Sequence, residues 1–126
     1  MELPQKDEVV PLSKIEEICR FYGLHDLWDT IQTDRPAKPF VSDGCSLWVD
    51  CWKGKDIYPA CFRHDLKYWA GRPGEDIERL KADCTLMLEV ADATNDIRFA
   101  ETMFFGVRLG GHEILKQPFS WGFGRR

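Results

Sequence analysis

Apolar residues recur at helical rather than alternating spacing along most of this chain. Between Leu12 and Ile31 they fall at Ile15, Ile18, Cys19, Tyr22, Leu24 and Leu27, which predicts helix, with Gly23 dividing it into two short segments. Ser13, followed three residues on by Glu16, has the pattern of a capping box. Residues 32–58 lose the period. They carry Pro36, Pro39, Gly44, Gly54 and scattered Asp, and read as a long loop with at most a short strand near Trp48–Trp52. Irregular loops of that length inside a compact domain are usually functional. Helical spacing returns from about Pro59 to Ala70, with Pro59 in the first turn and Asp56 as a candidate cap. The segment GRPGE (71–75) breaks it. A further helix is expected from about Asp76 to Ala93, and a last one from about Asp96 to Leu109, ended by Gly110 and Gly111. Residues 1–10 are polar and expected to be loose. The aromatic and basic tail, Trp121 to Arg126, is expected at the surface. The pattern as a whole predicts an all-α fold.

Composition limits the partners. The 126 residues suit one domain, 1–126, with a helical N-terminal extension over about 1–35. Hydrophobic residues make up 44% and charged residues 30%, enough apolar material for a core without reliance on disulfides. The net charge of −4, with no Lys/Arg block, argues against nucleic acid, whose phosphates need a basic surface. It gives no general attraction to an anionic membrane either, though a local basic patch would. No apolar stretch approaches the ~20 residues of a transmembrane helix. The N-terminus lacks the apolar region of a signal peptide, which leaves three readings open: a start in the cytoplasm, a trimmed chain, or another route out, as an exported, injected or virion-associated protein. Five cysteines are an odd number, so at least one is unpaired within the monomer.

The candidate chemistry is concentrated in PACFRHDLKYW, residues 59–69. On a helix, His64 and Tyr68 lie four apart and share a face, with Cys61 three before His64 on the same side. Asp65 is offset by about 100°. The short break at 71–75 makes the next helix antiparallel, and Asp83 then comes opposite His64. A carboxylate on one imidazole nitrogen fixes the tautomer and stabilises the imidazolium, leaving the other nitrogen to take a proton from water. Tyr68 is near enough to donate to Asp83. Upstream, SDGCSLWVD (42–50) offers Asp43 and Asp50 as hard oxygen donors, and Gly44 allows the backbone to turn carbonyls inward. Calcium takes six to eight such oxygens, and Asp43, the Gly44 carbonyl and Asp65 would supply part of that shell.

These residues resemble the phospholipase A2 superfamily, in its short bacterial and fungal branch. The hallmark is Cys, two residues, His-Asp, two residues, Tyr, and here Cys61, His64, Asp65 and Tyr68 stand at that spacing. The branch's Asp-X-Cys calcium loop is matched by Asp43-Gly44-Cys45. A further Asp on the following helix is matched by Asp83. The likeness covers about residues 40–110. The larger animal enzymes have adjacent cysteines before the His, where this chain has Ala60-Cys61. The resemblance implies a small fold with two antiparallel central helices and a calcium-binding loop. It implies hydrolysis of the sn-2 ester of glycerophospholipids at a membrane surface, with His64 as base, Asp83 and Tyr68 in support, and Ca2+ held by Asp43, Gly44 and Asp65. It also implies a Cys45–Cys61 disulfide. Cys51 and Cys84 could pair or remain thiols. Two other readings stand beside it. One is a catalytically silent module on the same scaffold. The other is a zinc-binding structural protein drawing on Cys45, Cys51, Cys61, His64 and Cys84. The aromatics Trp48, Trp52, Trp69, Phe119, Trp121 and Phe123 suit a lipid-facing rim or a core, with core expected for those on helices.

Overall fold

The computed structural model describes residues 1–45 and 49–126, and among them the chain is mainly helical. Helices α1 (Leu12–Phe21) and α2 (His25–Thr33) are parted at Gly23, whose φ of +71° is a left-handed turn that glycine adopts without strain. The capping box does not form. The helix begins earlier, with Pro11 in extended backbone at its N-cap and accepting the first bonds from Lys14 and Ile15. Ser13 therefore lies inside the first turn, where its hydroxyl has no capping role.

The segment expected to be loose is tied down. Strand β1 (Val9–Val10) pairs antiparallel with β2 (Phe40–Val41), Asp7 N–H donates to the Ser42 carbonyl at 2.8 Å, and the Tyr58 hydroxyl donates to the Pro4 carbonyl. A second ribbon, β3 (Cys51–Trp52) with β4 (Lys55–Asp56), accounts for the short strand expected near Trp52. Trp48 lies outside the described residues. Helix α3 (Tyr58–Ala70) follows, with Pro59 in its first turn and the Asp56 carboxylate accepting from Tyr58 N–H at 3.0 Å.

Helix α4 (Asp76–Thr94) returns antiparallel to α3. The pairs Tyr68 with Arg79, His64 with Asp83 and Arg63 with Glu89 run in opposite directions along the two helices, which fixes the sense. Asn95 turns left-handed at φ 55° to end α4. Asp96 then caps α5 (Ile97–Gly110), its side chain accepting from Phe99 N–H at 3.1 Å.

Helix α3 is buried on nearly every side, which makes it the axis of the molecule. Phe62, Leu66 and Trp69 face one cluster with Ile15, Ile18, Ile31 and Phe40. Ala60 and Cys61 face another with Leu86, Val90, Phe99 and Met103. Each Ile, Leu, Val, Phe or Met side chain among them contributes roughly 1.5–3 kcal/mol by leaving water.

The tail corrects the surface expectation. Trp121 is buried and its backbone N–H donates to the Gly111 carbonyl, while Gly122 N–H donates to the Tyr68 carbonyl at 2.8 Å. A Cβ at Gly71 would overlap the Trp121 ring, and one at Gly124 would overlap Trp69. The two bare backbones are what let the tail enter. Arg125 then locks it by donating to the carbonyls of Ala70 and Gly71 and pairing with Asp34.

Candidate active site

His64 and Tyr68 project from α3 and Asp83 from α4, as the pairing of these helices requires. The His64 Nε2 lies 2.7 Å from Asp83 Oδ1, and the Tyr68 hydroxyl donates to the same oxygen at 2.6 Å. All three are buried, Asp83 completely. Two further partners were not foreseen. Arg108 of α5 donates to Asp83 Oδ2 at 2.8 Å, and Arg79, one turn before Asp83, pairs with that oxygen at 3.6 Å. Arg79 also donates to the Tyr68 hydroxyl and to the Val107 and Arg108 carbonyls, joining α4 to the end of α5.

Burial alone would raise the Asp83 carboxyl. The hydrogen bond and charge of His64, then the bonds from Tyr68 and Arg108, outweigh it and hold the group below the usual carboxylate range. Tyr68 goes the other way. Its burial, and next the Asp83 charge, push the phenol far up, so it stays a donor. Gly111 makes this arrangement possible, since a Cβ there would stand 2.7 Å from the Tyr68 hydroxyl and 2.6 Å from the Val107 carbonyl oxygen.

His64 opens on a cavity of about 240 Å³. Gly44, Cys45, Cys61 and Asp65 form one side, and Leu86, Met103, Val107 and Phe119 form apolar walls. Among the described residues no hydrogen bond engages Nδ1 of His64, and no serine or threonine hydroxyl bonds the ring. The site therefore holds an imidazole oriented from behind, with its second nitrogen available.

The disulfide Cys45–Cys61 is present, with a Cα–Cα distance of 5.0 Å, and it ties the acidic loop to α3. Gly44 sits at φ +69°, and a Cβ there would meet Asp50 Oδ1 at 2.8 Å. Asp50 is turned into the loop, accepting from Cys45 N–H at 3.0 Å. Asp43 and Asp65 come together. Burial, and next the neighbouring Asp43 charge, push the Asp65 carboxyl well above its ordinary range. The buried Ser42 hydroxyl donates to Asp65 Oδ2 at 2.9 Å and accepts from Gly44 N–H. Ser42 stands beside Asp43 in the sequence, but nothing in the spacing marks it as a support for Asp65.

The zinc alternative loses its ligand set, because Cys45 and Cys61 are bonded to each other while Cys19, Cys51 and Cys84 are free thiols. Among the described residues no three His, Cys, Asp or Glu side chains gather to hold a metal. Asp43 and Asp65 are a pair rather than a trio, so a hard cation there would draw its other oxygens from backbone carbonyls and water. Such a donor set fits calcium and suits zinc poorly. No described helix is long and apolar enough to cross a membrane. Comparison with protein-family models, with curated proteins and with solved structures gives no match.

Proposed function

We propose that the chain is a calcium-dependent hydrolase of the phospholipase A2 type, cleaving the sn-2 acyl ester of glycerophospholipids with a water activated by His64. The observation that carries this reading is the buried His64–Asp83–Tyr68 set opening on an apolar cavity beside the Asp43–Asp65 pair. Nδ1 of His64 accepts the proton of the attacking water, and Asp83 stabilises the imidazolium through Nε2. Tyr68 and Arg108 hold the carboxylate, so the ring does not turn as its charge changes. Leu86, Met103, Val107 and Phe119 take the acyl chain and keep bulk water from it. Asp43, Asp65 and the Gly44 carbonyl would hold the calcium ion, which when bound supplies Lewis-acid polarisation of the ester and a counter-charge for the phosphate. His64 then returns its proton to the departing alkoxide.

Release of fatty acid from defined phospholipid vesicles, with calcium or with excess chelator, tests the reading. Release is expected only with calcium, and His64→Gln should lower it by about 10²–10⁴-fold, the usual worth of a general base. A thermal melt of the variant separates lost chemistry from lost fold. Full release in chelator, or an active His64→Gln, would sink the proposal. A folded wild-type protein with no release under either condition would favour a silent module.

A further inference from the structure

A second space adjoins the cavity of His64. It has a volume of about 580 Å³, and its lining includes Lys38, Asp43, Lys116, Phe119 and Arg126. Phe119 walls both spaces, and the consecutive residues Asp43 and Gly44 each line one of them. Both are walled mainly by apolar surface, but the second also gathers three cationic side chains, Lys38, Lys116 and Arg126, against one side-chain carboxylate, Asp43. In a chain of net charge −4 this is a local reversal of sign.

Among the described residues neither Lys38 nor Lys116 makes a side-chain hydrogen bond or ion pair. Arg126 bonds the carbonyls of Gln117 and Ser120 and makes no ion pair with a side chain among the described residues. Two acids nearby in the chain are engaged elsewhere, Asp34 with Arg72 and Arg125, and Glu113 with Gly74 N–H.

We infer that this groove takes the polar head of the lipid whose acyl chain enters the apolar cavity, and that Lys38, Lys116 and Arg126 select heads of net negative charge over zwitterionic ones. The inference rests on the phospholipase reading and adds its substrate class. A lipid spanning the two spaces passes Asp43 at their junction and lays its head among three cations. A choline ammonium would meet like charge there, and a glycerol or bare phosphate head would not. The lysines are exposed, so the preference should be modest and should fall with salt.

Soluble short-chain lipids, kept below their micelle concentration, test the groove apart from any attraction to a charged membrane. Wild-type protein should show a higher kcat/KM for dihexanoyl phosphatidylglycerol than for dihexanoyl phosphatidylcholine, by about two- to fivefold per lysine, as expected for exposed ion pairs. Lys38→Gln with Lys116→Gln should remove the lysines' share and leave only the small preference that Arg126 gives, and Lys→Arg at both sites should restore the wild-type ratio. Equal turnover of the two lipids by wild-type protein overturns the inference and leaves the phospholipase reading standing. A preference present on vesicles but absent on monomers overturns it too, in favour of general surface attraction. If neither lipid is hydrolysed, the phospholipase reading fails, and the groove is judged by NMR titration with dodecyl phosphate and dodecylphosphocholine. Tighter binding of dodecyl phosphate that the double variant loses keeps the anion groove, and equal or absent binding removes it.

Discussion

At Asp83 a single buried carboxylate serves four side chains: His64 and Tyr68 on one oxygen, Arg108 and Arg79 on the other. Its replacement should therefore cost more in stability than that of His64. Asp83→Asn leaves the buried Arg79 and the half-buried Arg108 without a counter-charge, and breaking such a pair costs about 3–5 kcal/mol. Urea denaturation should place it well below His64→Gln, and equal midpoints would show that the arginines do not depend on Asp83. The acid side follows from the same group. Its folded pKa is depressed below 3.8, so its stabilisation is present above that value and is lost as pH falls through the folded one. The pairing of His64 with Asp83 was legible, because both lie about equally far from the turn at Pro73, and Tyr68 followed from helical spacing. Arg79 was visible in principle, four residues before Asp83 on the same face. Arg108 was not, since it arrives from a third helix and no spacing links it to the dyad.

Among the elements, the acidic loop depends most on one covalent bond. Cys45 and Cys61 are 16 residues apart, and closing a loop of that size is worth about 3 kcal/mol in the chain-entropy account. Reduction should lower the melting temperature and speed amide exchange over residues 42–45 more than in α4. An equal rise in both would mean that the bridge supports the whole fold rather than the loop. The helices were readable because their apolar period extends over about two and a half turns or more. Strands β1 and β2, of two residues each, are too short to show an alternating pattern, so the N-terminal segment read as loose. The Ser13 cap failed for a related reason, because Pro11 already supplies the extended entry to α1.

For the whole molecule, the Asp43–Asp65 pair ties stability to cation binding. Because the Asp65 carboxyl is raised, the stability it lends to the cation-free fold is full below 3.8 and is lost as pH rises through its folded value. A bound divalent cation favours the carboxylate form and opposes that loss. The rise in melting temperature produced by calcium should thus be larger at about pH 8 than at about pH 5. An increment independent of pH would remove Asp65 from the cation's ligands. The tail was misread at this scale. Its aromatic and basic composition suits a surface, and only the bare backbones of Gly71 and Gly124 show that Trp121 and Trp69 close there instead. Those contacts also bring the two ends of the chain to one place. Asp7 is bonded to Ser42 and Gly124 to Lys38, four residues apart in a segment that can span at most about 14 Å. A short linker could join the ends, and new ends could be opened at the exposed turn around Gly74. Such a circular permutant should keep its native spectrum, with the α3–α4 connection made dispensable by the side-chain bonds that already align the two helices.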